Sequence, residues 1–244
     1  MATRLPAIED LRRQIKHLEG GSHCRTCLPF GIQALDRHLP GQGLALGALH
    51  EMIEAGPGSE LSGAANLFIA GIAARLKGPV LWCLSRRDLF GPGLGQAGLH
   101  PDRVIYVEGA HDRNILPLVE EGLHEKGLAA VVGEITRLGL TASRRLQLAA
   151  EGSGVPAFIL RRWWTVAEKD LTRLPTAAST RWLIAPVPSE ILPAPGLARS
   201  RWQVELLRCR GAAPRTWILE ACDAKGRLAL PAALANRSDQ AAVR

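Results

Sequence analysis

The sequence predicts an α/β fold in which a mostly parallel sheet is flanked by helices, preceded by one N-terminal helix and followed by antiparallel strands. Short apolar runs alternate with helical patterns between residues 49 and 160, which is typical of βαβ units. The runs 80–84 and 155–160 are almost entirely apolar, as expected for parallel strands covered on both faces. After residue 176 the apolar residues alternate with polar ones, which indicates antiparallel strands over 181–186, 202–210 and 217–222.

Length and composition indicate a globular chain that folds without disulfide bonds. The 244 residues, 47% hydrophobic and 22% charged, exclude a disordered chain, a coiled coil and a disulfide-stapled miniprotein. The N-terminus carries acids and no apolar segment, and the longest nearly apolar stretch, 64–74, is too short to cross a bilayer. We therefore expect a cytoplasmic protein. The net charge of +7 favours contact with a polyanion.

The five cysteines do not predict a metal site or a disulfide framework. Cys24 and Cys27 form the one clustered pair, and no second C-x-x-C or histidine pair completes a zinc site. The pair lies in a Gly-rich connector, whereas a redox motif requires a strand before it and a helix after it. We expect reduced thiols and no bound metal.

A separate helix is predicted at the N-terminus, within an interaction segment over 1–21. Gly20 and Gly21 end this helix. It must bury its narrow apolar stripe, either on its own domain or on a neighbouring subunit. A core domain over 28–232 follows, and the polar tail 236–244 is expected to be disordered. The stripe, which is the candidate partner-binding surface, consists of Ile8, Leu11, Ile15 and Leu18.

Within the core, apolar spacing and flanking Gly or Pro residues define the elements. The Gly-rich stretch 91–98 is interpreted as a flexible connector, and 54–62 as a loop. The predicted strands cover 49–53, 80–84, 103–107, 128–132 and 155–160, and the predicted helices cover 32–39, 63–76, 115–125 and 141–151.

Two parts of the chain resemble RecA-type recombinase cores. The runs FGIQALD (30–36), GQGL (41–44) and HEMI (50–53) are similar to the entry of such cores, which leads into a phosphate-binding loop. The run VELLRCRGAAP (204–214) is similar to a strand of that family that ends in a basic-x-basic segment. This resemblance covers roughly residues 28–232 and implies a RecA-like fold.

The expected phosphate-binding loop is degenerate. A loop of the form G-x-x-x-x-G-K-[ST] uses Lys on the β and γ phosphates and a hydroxyl on Mg²⁺. Ala64 and Ala65 stand in those two places. Ser85 and Gly133 stand where RecA-type proteins carry acids, although Glu134 is adjacent to the second position. The sequence therefore predicts no ATPase activity, no catalytic residue and no cofactor. The degenerate loop comprises Gly56, Gly58, Ser62, Gly63, Ala64 and Ala65.

The runs LALGALHE (44–51), WQVELLRCRG (202–211) and WILEACD (217–223) are similar to those of the ImuA family. The resemblance implies a non-catalytic accessory protein of error-prone translesion DNA synthesis in the bacterial DNA-damage (SOS) response. It implies three partners: a Y-family-like ImuB protein, an error-prone C-family DNA polymerase, and RecA. The alternative is a SulA-like cell-division inhibitor that binds the division-ring GTPase. Those proteins are usually shorter and lack the extended antiparallel C-terminal portion.

The end of strand 155–160 is a candidate site for weak binding of single-stranded DNA. In RecA-type proteins a DNA-binding loop begins at the matching place, and arginines beside indoles suit phosphates and stacked bases. The two tryptophans could equally pack in the core and at the sheet edge. The resemblance also places two later arginines where RecA-type proteins reach a neighbour's nucleotide. The candidates are Arg161, Arg162, Trp163, Trp164, Lys169, Arg173, Arg208 and Arg210.

Overall fold

The computed structural model describes residues 26–163, 174–189 and 198–231. Its main sheet has eight strands in the order β10-β9-β8-β3-β7-β6-β4-β5. The strands from β3 to β8 run parallel to one another, and β9 and β10 are antiparallel to the strands beside them, so the predicted fold class is confirmed. The strands are β1 Cys27–Leu28, β2 Leu44–Ala45, β3 Leu49–Glu54, β4 Val80–Leu84, β5 Val104–Glu108, β6 Ala130–Ile135, β7 Ala157–Arg161, β8 Thr180–Val187, β9 Arg201–Cys209 and β10 Arg215–Glu220.

Helices cover both faces of this sheet, and β1 pairs with β2 in a separate small sheet. The helix α2 packs on one face, where Phe68 contacts Trp182 and Trp202 within an apolar core. The helices α4 and α5 pack on the other face over a second core that includes Leu49 and Val131. The helices are α1 Gln33–Asp36, α2 Ser59–Ala74, α3 Gly91–Gln96, α4 Asp112–His124 and α5 Leu140–Ser153.

Several elements differ in their bounds from the sequence prediction, and one is of a different kind. The helix α2 begins at Ser59, four residues earlier than predicted, and β6 extends to Ile135. The stretch 91–98, predicted to be a flexible connector, instead contains α3. Its Gly93 and Leu94 are buried, because the missing side chain of Gly93 lets Phe90 and Leu67 approach closely. Packing around Gly93 therefore stabilises a helix that the Gly-rich sequence does not predict.

The predicted N-terminal helix and the tail 236–244 lie outside the described residues. Over the part that the structure does describe, no helix is long and apolar enough to cross a membrane.

The contact between Gly98 and Gly226 predicts one large effect on stability. Gly98 has φ +91°, and a Cβ there would lie 2.7 Å from the backbone N of Gly226. Gly98→Ala should therefore lower the free energy of unfolding by about 2 kcal/mol or more. Gly63→Ala is the control, since nothing lies within 4 Å of its Cβ position and alanine favours the helix by about 0.5–1 kcal/mol. Equal urea midpoints for the two variants would contradict this packing.

Candidate functional site

The connection between β3 and α2 occupies the place of the expected phosphate-binding loop. It contains only residues 55–58, and Gly58 caps α2 with φ 148° and ψ 140°, a conformation that favours glycine. The amide N–H groups of Leu61 and Ser62 already donate to the carbonyl oxygen of Gly58, 3.2 and 3.1 Å away. The prediction of a loop over 54–62 is therefore wrong for residues 59–62, because these residues belong to α2.

The two alanines of the degenerate loop lie inside α2. Ala65 has no exposed surface and Ala64 is 4% exposed, and both belong to the apolar core beneath the helix. Of the glycines, Gly56 is buried in the short connection and Gly63 lies in the second turn of α2. These positions are therefore part of the helix–sheet packing.

A buried arginine lies among three carboxylates where four parallel strands end. Arg162 is 3% exposed and directly follows β7. Its Nη2 lies 2.6 Å from Asp88 Oδ2 and its Nη1 lies 2.9 Å from Glu134 Oε2. Its Nε lies 2.8 Å from Glu54 Oε1, an ionic contact without hydrogen-bond alignment. We call these four residues the Arg162 cluster.

Further hydrogen bonds hold two of these carboxylates in place. Glu134 accepts from Trp82 Nε1 at 3.1 Å and from Ser85 Oγ at 3.4 Å. Glu54 Oε2 accepts from the backbone N–H of Trp163 at 2.9 Å. These partners come from β3, β4, β6 and the residues after β7. The cluster therefore holds the carboxyl ends of these four strands together through contacts within the protein.

The cluster contains more acid than base, and its pKa values reflect this. Burial raises the pKa of Glu54 to about 7 and also raises that of Glu134, although Arg162 opposes both shifts. Burial alone would raise the pKa of Asp88 and lower that of Arg162. The hydrogen bonds between Asp88 and Arg162, together with the surrounding charges, instead lower the pKa of Asp88 and raise the pKa of Arg162. Arg162 is therefore a permanent cation that faces carboxylates of unequal acidity.

A second ion-pair network lies on the opposite face of the sheet, around the buried Glu51. Arg161 Nη1 lies 3.3 Å and Arg181 Nε 3.1 Å from Glu51 Oε2. Arg161 also donates from Nε to the carbonyl oxygen of Thr136 at 2.9 Å. Arg181 donates from Nη2 to the carbonyl oxygen of Leu174 at 2.7 Å.

These two networks correct the expectation that Arg161 and Arg162 bind DNA. The two side chains are 1% and 3% exposed, and they point to opposite faces because they are adjacent at the end of a strand. Each neutralises buried glutamate, so neither reaches solvent to bind a phosphate. The signal that could have predicted this lies far away in the sequence: Glu51, Glu54 and Glu134 interrupt apolar strands and need buried cationic partners.

The remaining candidates are distributed over several places. Trp163 is half-buried beside Glu54. Arg208 and Arg210 are exposed, and their guanidinium groups donate to carbonyl oxygens of the segment 176–178 at 2.9–3.1 Å. The candidates Trp164, Lys169, Arg173, Ile8, Leu11, Ile15 and Leu18 lie outside the described residues.

No group of three His, Cys, Asp or Glu residues is placed to hold a metal ion in the described ranges, which include Cys27 but not Cys24. In the Arg162 cluster, the guanidinium group occupies the space between the carboxylates.

The raised pKa of Glu54 predicts a pH-dependent stability. The folded state keeps a proton up to about pH 7 that the unfolded state releases near pH 4.5, so stability falls as pH rises through this window. The loss attributable to Glu54 is at most about 3 kcal/mol. Glu54→Gln should make the profile shallower, with Glu134 keeping a share of the slope, whereas Glu121→Gln at an exposed site should keep the profile unchanged. Urea unfolding between pH 4.5 and 8 tests this, and identical profiles for the two variants would contradict it.

Known proteins resemble this chain in sequence and in fold. No protein-family model matches the sequence. Protein ImuA of Caulobacter vibrioides (strain NA1000 / CB15N) is 39% identical over 216 residues, covering 85% of this chain and 88% of that protein. Protein ImuA from C. vibrioides strain ATCC 19089 matches with the same identity and coverage.

Among solved structures, the crystal structure of the RadB recombinase matches with a TM-score of 0.58 and covers 84% of this chain and 99% of that chain. Its sequence identity of 17% means that this likeness concerns the fold alone, which is RecA-like. The curated relatives, in contrast, are similar in sequence over most of their length. The chain therefore belongs to the ImuA family.

Proposed function

We propose that the protein is a non-catalytic RecA-like accessory protein of error-prone translesion DNA synthesis in the bacterial SOS response. Its ImuA relatives and its RecA-like fold support an accessory role in damage-induced mutagenesis. The single observation that supports a non-catalytic role is the Arg162 cluster, because its ion-paired side chains occupy the carboxyl edge of the sheet.

The geometry beside this cluster supports the absence of ATP hydrolysis. Phosphoryl transfer needs a lysine on the phosphates, a hydroxyl on Mg²⁺ and a loop that wraps the nucleotide. The connection of four residues before α2 is shorter than such a loop, and Ala64 and Ala65 are buried in the core. No side chain at either position offers a cation or a hydroxyl to a phosphate.

The electrostatics of the cluster support the same conclusion. Three acidic side chains surround the one guanidinium, so the cluster offers no excess positive charge to a triphosphate. Glu134, the acid nearest to the expected magnesium position, is fully buried and engaged by Arg162, Trp82 and Ser85. Catalysis of phosphoryl transfer depends on positive charge placed at the developing negative charge, and the single cation of this cluster is already engaged by acids.

The protein then acts through contacts with other proteins. The implied partners are an ImuB-like Y-family polymerase homologue, an error-prone C-family DNA polymerase and RecA. The apolar stripe at Ile8, Leu11, Ile15 and Leu18 is the surface that we assign to them, as a helix with a narrow stripe gains stability by burying it on a partner.

The purified protein should release phosphate from ATP no faster than background, with or without single-stranded DNA. The reason is the missing lysine and hydroxyl together with the acidic cluster. A phosphate-release assay with a hydrolytically active RecA as positive control measures this. DNA-stimulated turnover that Glu134→Gln abolishes would contradict the non-catalytic role.

Deleting residues 1–20 should abolish capture of the partner proteins in a pull-down while leaving the melting temperature nearly unchanged. Replacing the four stripe residues by serine should have the same effect, because each serine removes apolar surface from the interface. The matched control replaces Arg12, Arg13 and Lys16, which the sequence predicts on the opposite face of the helix, by alanine and should retain capture. A large drop in melting temperature on deletion would instead indicate that the stripe packs on its own domain.

A further inference from the structure

We propose that two copies of the chain associate through the face of β8, β9 and β10 that lies opposite α2. The inference goes beyond the partner contacts proposed above and does not depend on them. It rests on the apolar side chains of this face and on the order of its charges along β9.

The antiparallel strands bury one of their two faces. Trp202, Val204 and Leu206 of β9 belong to the apolar core beneath α2, and they alternate along the strand with partly exposed residues. The cross-strand register sorts the opposite face into three rows of three residues, which we call the outer face. The rows are Leu183, Glu205 and Thr216, then Ala185, Gln203 and Ile218, then Val187, Arg201 and Glu220.

The outer face carries apolar side chains that lie outside both cores of the described residues. Leu183, Val187 and Ile218 are partly exposed, and none of them belongs to either apolar cluster. Elsewhere on this side of the sheet, strand residues such as Leu49 and Val131 pack with α4 and α5. A sheet face with apolar residues gains stability when a second layer covers it, because this removes apolar surface from water.

The charges of β9 favour a second copy of the chain as this layer. Arg201 and Glu205 stand in the two end rows of the outer face, about 13 Å apart along the strand, which is too far for them to pair with each other. When a second copy packs on this face with its strands antiparallel, the twofold axis runs along the middle row. Each Arg201 then lies opposite the partner's Glu205, so the face is complementary to itself.

The same arrangement matches the apolar residues of the two end rows. Leu183 lies opposite the partner's Val187, and Ile218, in the middle row, lies opposite its own counterpart. A parallel arrangement would instead place two Arg201 side chains opposite each other and two Glu205 side chains opposite each other, which like-charge repulsion disfavours.

The small size of the outer face sets the expected strength of the dimer. It offers nine residues from each copy, fewer than the roughly 20–30 that a standard interface uses on each side. We therefore expect a dissociation constant on the order of micromolar, and a dimer that dissociates on dilution.

The test measures the mass of the full-length protein in solution by sedimentation equilibrium between about 1 and 100 μM. The wild type should form a dimer. R201E and E205R should each weaken it by at least about tenfold, because either reversal places two like-charged pairs across the interface. The matched controls R37E and E121R change the net charge equally at exposed positions away from the outer face, and they should dimerise like the wild type.

Mixing the two single variants tests the antiparallel arrangement itself. An equimolar mixture of R201E and E205R should form a heterodimer, because one chain then carries two acids and the other two bases at the facing positions. The double variant R201E/E205R should also dimerise, since it restores both opposite-charge pairs. Recovery in either case requires folded chains, so a simple loss of folding in the single variants would not imitate this result.

Three outcomes would overturn the proposal: a wild type that is monomeric at about 100 μM, single reversals that leave the dimer intact, or a mixture that does not associate. A wild type that dimerises only after residues 1–20 are deleted would also overturn it, because the chain's own N-terminal segment would then cover the outer face. Capture of the partner proteins by R201E should be unchanged, which separates this result from the proposed function.

Discussion

The Arg162 guanidinium group is the interaction on which the carboxyl edge of the sheet depends. A buried charge is costly unless it is paired, and here one cation satisfies carboxylates from three separate segments, while the next residue donates its backbone N–H to Glu54. Losing Arg162 would leave three acids facing one another, whereas losing one acid would leave the remaining pairs intact. The arginine is therefore the least replaceable member of the cluster.

Two consecutive arginines at the end of β7 form buried ion pairs on opposite faces of the sheet. Arg161, together with Arg181, pairs with Glu51 on the side of α4 and α5, and Arg162 pairs with Glu54 and Glu134 on the side of α2. The acidic residues inside these strands, Glu51, Glu54 and Glu134, all take part in these ion pairs. Other basic residues of the described ranges, such as Arg37, Lys77 and Lys126, are exposed.

The order of strands and helices could be predicted from the sequence, because apolar runs and their spacing are local signals. The early start of α2 and the helix α3 could not, since burial of Ala65 and close packing at Gly93 stabilise them through distant partners. The burial of Arg161 and Arg162 was missed for the same reason: their acidic partners lie up to 110 residues away. A basic pair at a strand end indicates nucleic-acid contact only where no buried acid competes for it.

Because Ala64 and Ala65 are buried, restoring a lysine and a hydroxyl residue at these positions would not by itself rebuild a phosphate-binding loop. A lysine at position 64 would place its ammonium group at a buried helix position, and a hydroxyl at position 65 would face the core. Both positions lie inside α2, and the connection before this helix, which ends at Gly58, is too short to surround a phosphate group. Building a phosphate site here would require a longer connection, a later start of α2 and removal of the carboxylates around Arg162. Because these changes are coupled through one buried cluster, we expect no single substitution to create a phosphate-binding site here.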